Sequence, residues 1–139
     1  MTWPGYKQAD FVPVFSLQIH TRELRKFPWR RLVDRDLKWS SSEKALARKV
    51  FDAALESELS DVMAEFKAKA SCVASPSEIW ELEGYLREKR RVVNEKYDYR
   101  YSQLIGVFAR LIREGRIREE QLRELSEEKR EYIRRMLCL

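Results

Sequence analysis

The stretch from Ser77 to Gly115 constrains the fold most, because its apolar residues recur at helical spacing along its whole length. Between Ser77 and Ile105 there is no proline, and Gly84 is the only glycine. The pattern predicts one long helix, jointed at most once, that reaches about 50 Å. Such a helix cannot bury its apolar stripe alone and needs partner helices, from the same chain or from a second copy. The stripe consists of Leu82, Leu86, Val93, Tyr97, Leu104, Phe108 and Leu111.

A first helix precedes this stretch. Its start is marked by Ser40, Ser41 and Ser42, since a serine hydroxyl can accept from the free amides of a first helical turn. The helix is predicted to end near Ala70. Its apolar stripe is Phe51, Leu55, Leu59, Val62, Met63 and Phe66.

Local signals divide the rest of the chain. The run Ser75-Pro76-Ser77-Glu78 predicts a capping box with proline at the first helical position. A bend is predicted within 94–102, where helix propensity is poor. The third helix then starts near Tyr101 and ends at Gly115, which suits a left-handed cap. The last helix is predicted over Arg118–Leu137, with Leu122, Leu125, Tyr132, Ile133 and Met136 inward, and the fold class is all-α.

Charge and composition separate an arm from a helical body. Residues 1–38 hold eight Lys and Arg against four Asp and Glu, whereas residues 39–139 hold 20 against 19. The arm carries three of the four prolines and several aromatic residues, and its apolar pattern is irregular. We expect a loosely ordered arm at 1–38, with a short helix near Thr21–Lys26, and one helical domain at 39–139. The basic arm could meet nucleic acid or an anionic membrane, or pack onto the domain.

The chain lacks the residues that most enzyme classes need. Its one histidine, His20, lies in the arm without a positioned partner, and no nucleotide-binding loop or metal-ligand spacing occurs. Cys72 and Cys138 are far apart in sequence and read as intracellular thiols. The helix from about 118 carries carboxylates that we expect to form surface pairs with Lys129, Arg130, Arg134 and Arg135. A binding or regulatory protein without a cofactor is therefore favoured over an enzyme.

An ordered series of short motifs resembles the fluorescence recovery protein family. It begins with Ile79-Trp80-Glu81-Leu82, continues through Lys89-Arg90 and Lys96-Tyr97-Asp98, and ends with Val107-Phe108-Ala109, Glu114-Gly115 and the leucines Leu122 and Leu125. The resemblance extends from Trp39 to Leu139. It implies an antiparallel pair of long helices, a small two-helix head, and dimerisation along the second helix.

The resemblance also implies a function. Members of this family are non-enzymatic regulators that bind the photoactivated orange carotenoid protein through its C-terminal domain. They accelerate its return to the inactive orange form and so end photoprotective quenching at the phycobilisome. For this chain, the implied partners are a second copy and that carotenoid protein. The implied location is the cytoplasm, with the periphery of photosynthetic membranes as an option.

The resemblance assigns a dimer and partner interface to the second helix, at Trp80, Glu83, Gly84 and Arg90. From the residues alone, Trp80 could equally plug the core between the first two helices, and Arg90 could be one of several solvated cations. At two of these positions the chain departs from the family, which has a histidine in place of Glu83 and an aspartate in place of Gly84.

The resemblance assigns a partner surface on the head to Gly106 and Tyr132. Both are departures, because the family has a phenylalanine and a lysine at these positions. The alternative function is a helical dimer that binds nucleic acid, or another protein, without a carotenoid-linked role.

Overall fold

A computed structural model describes residues 37–139. The arm up to residue 36, with His20 and the predicted short helix, lies outside the described residues. The described part is all-α, as predicted. It contains α1 (Ser41–Ser71), α2 (Pro76–Lys96), α3 (Tyr101–Arg113), a 3-10 turn (Glu119–Leu122) and α4 (Glu127–Leu137).

The two long helices form an antiparallel hairpin whose starts are capped as the sequence predicts. The Ser40 hydroxyl accepts from the Glu43 amide at 3.2 Å, and the Glu43 carboxylate accepts from the Ser40 amide at 2.9 Å. At the start of α2, the Glu78 carboxylate accepts from the Ser75 amide at 3.0 Å, with Pro76 in the first helical position. These local bonds fix where both helices of the hairpin begin.

The end of α3 also follows the prediction. Gly115 has a φ of +70°, a left-handed conformation that glycine adopts without a steric cost. The amides of Gly115 and Arg116 donate to the carbonyls of Ile112 and Leu111 at 3.0 and 2.8 Å. This pattern closes the helix and turns the chain back towards α1.

The head is built by α3, the 3-10 turn and α4 packed on the first half of α1. Its largest fully buried side chains are Phe108, Leu104, Ile105, Leu111, Leu122 and Ile133. The predicted inward stripe of the α3 region is therefore confirmed.

The predicted joint in the long helical stretch lies at residues 97–100. Lys96, which is almost fully buried, contacts the carboxylates of Glu58 on α1 at 2.6 Å and Glu114 at 2.5 Å. The Tyr97 hydroxyl donates to Glu58 at 2.7 Å, and Arg116 lies 3.8 Å from the same carboxylate. We call these five residues the joint cluster. Burial, followed by the hydrogen bond to Glu58, raises the pKa of Tyr97, so the phenol stays protonated as a donor.

The prediction of one last helix over Arg118–Leu137 is wrong. The chain forms the short 3-10 turn at Glu119–Leu122 and starts α4 only at Glu127. The turn buries both Leu122 and Leu125, and it places the Ser126 amide 2.9 Å from the Glu43 carboxylate, to which it donates. In a continuous helix, the Ser126 amide would donate to a carbonyl of the preceding turn, and its hydrogen bond to Glu43 on α1 would be lost.

The expectation that Lys129 pairs on the surface of the last helix is also wrong. Its ammonium group is buried and contacts both oxygens of Glu43, at 3.0 and 3.1 Å. It also donates to the Lys38 carbonyl at 2.8 Å and lies 4.9 Å from the centre of the Trp39 ring. We call Glu43, Lys129 and Ser126 the head clamp, because they join α4 to the start of α1. Arg130, Arg134 and Arg135 do form the expected surface pairs with Glu127 and Glu131.

The head clamp predicts an acid-sensitive stability. Burial alone would raise the pKa of Glu43, but amide hydrogen bonds from Ser40 and Ser126, together with Lys129, lower it from 4.5 to about 2. The folded state therefore favours the carboxylate, and its contribution is complete above about pH 5 and is lost as the pH falls towards 2. At neutral pH we expect Glu43→Gln to lower the free energy of unfolding by about 3 kcal/mol.

This difference should shrink steadily in urea unfolding curves measured between about pH 5 and pH 2.5. Glu56→Gln, which changes an exposed carboxylate of α1 that has no ion pair among the described residues, serves as control. A loss of stability in Glu43→Gln that is the same at both ends of this pH range would contradict the role given to the clamp.

The contacts at the start of the described chain predict where the protein can be shortened. Leu37 and Trp39 pack against the head core, and Ser40 caps α1. A chain that lacks residues 1–36 should therefore melt cooperatively, with more helical circular dichroism per residue than the full chain. A chain that lacks residues 1–40 loses the indole and the cap and should be less stable by at least about 2 kcal/mol. Failure of the first chain to fold would make the arm part of the core.

Candidate partner-binding surface

The α1–α2 hairpin exposes apolar side chains on one flank. Leu59 is 49% exposed, Met63 52% and Ile79 53%, although all three follow the helical stripe that elsewhere faces inward. Half-buried Val62, Phe66 and Leu86 lie beside them. We call this surface the lateral face.

Helix geometry places these residues on the same side of the hairpin. Successive residues turn by about 100° around a helix axis. Glu58 on α1 and Leu82 on α2 face the other helix. Around the axis of α1, Leu59 and Met63 are rotated from Glu58 by about 100° and 140°, and around the axis of α2, Ile79 is rotated from Leu82 by about 60° in the same sense. Antiparallel right-handed helices turn in opposite senses when seen from one end, so equal rotations from the inward position reach the same side. The lateral face therefore lies on one side of the hairpin and includes residues of both helices.

A second surface of α2 points directly away from α1. Trp80 and Gly84 each lie two residues from buried Leu82, which is a rotation of about 200° from the inward position. The Trp80 side chain is 73% exposed, so the interpretation in which it plugs the core between the first two helices is wrong. We call this surface the outward face.

Ion pairs cover most of the remaining surface of α2. Glu83 pairs with Arg87 at 2.6 Å, and Arg91 contacts both Glu88 and Glu95. Arg90 is exposed, forms no ion pair among residues 37–139, and lies on the flank of the lateral face. Most charges of α2 are thus paired within the protomer, whereas the exposed apolar side chains remain in contact with water.

The hairpin itself is held by polar contacts along its length. Glu65 on α1 contacts Lys89 at 3.1 Å and accepts from the Tyr85 hydroxyl. Burial would raise the pKa of Glu65, but these two partners lower it overall, so the carboxylate is ionised at neutral pH. These contacts keep the two helices, and hence both faces, in a fixed relation.

The two head residues singled out by sequence lie apart from the α2 set. Gly106 is half-buried on α3 between buried Ile105 and Val107. Tyr132 is half-buried on α4 and packs against the head core, with Arg135 5.9 Å from its ring centre. Because α3 and α4 pack against each other, both residues belong to the head.

The exposure of Leu59 and Met63 does not follow from the sequence pattern, which places both residues in the apolar stripe of the first helix. The lengths of the predicted helices could have indicated this exposure, because the first helix is much longer than the head that packs on it. The apolar core of the head extends along α1 only as far as Leu55, so the apolar stripe beyond that residue packs only against α2 among the described residues.

The described residues offer little chemistry besides binding. Within residues 37–139, no group of His, Cys, Asp and Glu could hold a metal ion, and Cys72 and Cys138 are free and exposed. None of the helices in this part of the chain is long and apolar enough to span a bilayer.

Comparison with known proteins gives a consistent result. A family model described as photoprotection regulator fluorescence recovery protein matches residues 39–137. The fluorescence recovery protein of Synechocystis sp. PCC 6803 is 35% identical over 101 residues, which cover 73% of this chain and 93% of that protein.

Solved structures agree with the sequence match. The fluorescence recovery protein of Fremyella diplosiphon superimposes with a TM-score of 0.68 and 31% identity, over 73% of this chain and all of that one. The Synechocystis protein gives the same TM-score and coverage at 34% identity. The all-helical hairpin and head thus match solved structures of these regulators, and the chain belongs to the fluorescence recovery protein family of photoprotection regulators.

Proposed function

We propose that this chain is a homodimeric, non-enzymatic regulator that binds the photoactivated orange carotenoid protein and accelerates its return to the orange form. The observation that carries the proposal is the pair of exposed surfaces on the hairpin, taken together with membership in a family of photoprotection regulators. A homodimeric regulator needs a dimer surface and a partner surface, and two separate exposed faces of the hairpin support this assignment.

The lateral face is the dimer surface of the proposal. Leu59, Met63 and Ile79 would leave water when two hairpins pair. Arg90, which forms no ion pair among residues 37–139, borders them. Apolar burial of this kind is the main favourable term in association. Placing the dimer on this face leaves Trp80 and the head free for another protein.

The outward face and the head surface form the partner surface. An exposed indole on a rigid helix can bury a large area with little loss of conformational freedom. Binding would act by selecting carotenoid-protein conformers in which its separated domains can meet again. No group on this chain needs to react, and the carotenoid belongs to the partner.

The first prediction concerns the dimer. Met63→Glu would place an unpaired charge in the centre of the lateral face and should weaken dimerisation at least about a hundredfold. Light scattering at micromolar concentration should then report a single chain, whereas the natural protein reports two.

Ala64→Glu supplies the matched control. It adds the same charge one residue further along α1, and Ala64 is also exposed but lies off the lateral face. Monomer formation by both variants, or by neither, would remove the lateral face as the dimer surface.

The second prediction concerns the regulatory activity. The chain added to the red form of an orange carotenoid protein in the dark should speed the recovery of the orange absorbance in proportion to its concentration. Gly84→Asp, Gly106→Phe and Tyr132→Lys together restore the family's residues and should increase this acceleration, because each direct contact contributes about 1–3 kcal/mol.

The melting temperature of the restored variant must be followed in parallel, since Tyr132 packs on the head core. If neither the natural nor the restored chain accelerates recovery while both stay folded, the carotenoid-protein role is excluded and the shared fold alone remains.

A further inference from the structure

We propose that the space over Gly84 is a docking notch for an arginine side chain of the protein partner, which stacks on Trp80 and pairs with Glu81. This proposal depends on the proposed function in one respect, which is that the guanidinium group comes from a protein partner. It adds the chemical identity of the group that this part of α2 recognises.

Nothing inside the protomer requires glycine at position 84. The residue lies within α2 in ordinary helical conformation, and a methyl group built on it would meet no heavy atom within 4 Å beyond its own helical backbone. A glycine inside a helix costs about 1 kcal/mol relative to alanine. Gly115 differs, because its positive φ explains its presence.

The missing side chain leaves the neighbouring indole open. In a helix, a side chain leans over the turn that precedes it, so a residue at 84 would lie against Trp80 one turn earlier. With glycine there, the indole is 73% exposed and has free helix surface beside it. The notch is thus the bare backbone of α2 at position 84, one turn after Trp80 on the outward face.

A carboxylate stands at the same place. Glu81 lies three residues before Gly84, is exposed, and takes part in no ion pair among the described residues. The other carboxylates of the helix are engaged: Glu78 caps its start, Glu83 pairs with Arg87, and Glu88 with Arg91. Glu81 is therefore the carboxylate beside the notch that remains to be neutralised by a partner.

An indole and a carboxylate side by side select a cation with a flat, weakly hydrated head. Tryptophan gives the strongest cation–π contact of the aromatic residues, and the guanidinium group can stack on it while donating to a carboxylate. An ammonium group is more strongly hydrated and cannot stack in this way. A purely apolar group would leave Glu81 without a partner.

The notch can be probed without any carotenoid protein. The indole N–H resonance of Trp80 in the full chain, identified by its loss in Trp80→Phe, is followed by NMR while N-acetyl-arginine amide is added. We expect a saturable shift at millimolar concentration, at least threefold weaker with N-acetyl-lysine amide and absent with N-acetyl-leucine amide.

Three variants test the parts of the notch. Gly84→Leu fills it with a good helix former and should weaken arginine binding at least fivefold, while the melting temperature is kept or raised. Gly84→Asp, of similar size, adds a second carboxylate and should retain binding. Glu81→Gln should weaken binding about threefold, and Glu56→Gln on α1 should leave it unchanged.

Unchanged arginine binding in Gly84→Leu overturns the proposal, and so does binding of the lysine or leucine amide that is as tight as binding of the arginine amide. A further test replaces the arm's arginines together by glutamine and measures the Trp80 resonance without any amide. A shift caused by this replacement would show that the basic arm of the natural chain itself occupies the notch, and it would also overturn the proposal. The replaced residues are Arg22, Arg25, Arg30, Arg31 and Arg35. These titrations do not use a carotenoid protein, so their results can be interpreted even if the chain fails to accelerate carotenoid-protein recovery.

Discussion

A buried lysine between two carboxylates decides how the two parts of this fold are joined. Lys96 ends α2, and its ammonium group contacts Glu58 of the hairpin and Glu114 of the head. Charges removed from water are tolerated only when they are paired, so all three groups must stay together. Burial would raise the pKa of Glu114, but Lys96 and Arg110 lower it, and the carboxylate stays ionised. The position of the head relative to α1 follows from this contact.

The same contact explains why a stretch without a helix breaker is not one helix. Residues 97–100 include neither glycine nor proline, and α3 begins at Tyr101 after Arg100, whose side chain does not cap the helix. The break comes from tertiary contacts: Tyr97 donates to Glu58, and its ring packs on Phe51 at 5.4 Å between centroids. The Tyr99 ring also packs on Phe51, at 4.9 Å between centroids. Aromatic packing on α1 thus complements the ionic contact at the joint.

Sequence alone predicts the features of this protein that depend on neighbours along the chain. The caps at Ser40 and Ser75 and the left-handed end at Gly115 follow from local chemistry and are present as predicted. The division of the last helix was not predictable, because it depends on the Ser126 amide reaching Glu43, 83 residues away. Burial of Lys129 has the same origin.

For the candidate site, the sequence predicts which residues take part, but it does not predict whether their side chains face the core or the solvent. The sequence marks Trp80 as a strong interface residue, yet it leaves open whether the indole faces α1 or solvent. That question is decided by Leu82, which faces the core and turns Trp80 to the opposite side. Likewise, the stripe through Leu59 and Met63 reads as core, and only the limited reach of the head leaves it exposed.

The separation of the two hairpin surfaces limits how this regulator can work. A dimer formed through the lateral face leaves the outward faces of both α2 helices open, so one dimer presents two copies of Trp80 and its neighbours. Each copy lies on a helix whose remaining charges are mostly paired within the protomer, and only a few groups are left to select a partner. In the proposed binding mode, specificity would depend on the shape and charge beside the indole, where Gly84 has no side chain and Glu81 has no ion-pair partner among residues 37–139. Under the proposed binding mode, a substitution at position 84 would change which partner group fits without changing the fold, so that members of one family could keep a scaffold while their contact chemistry diverges.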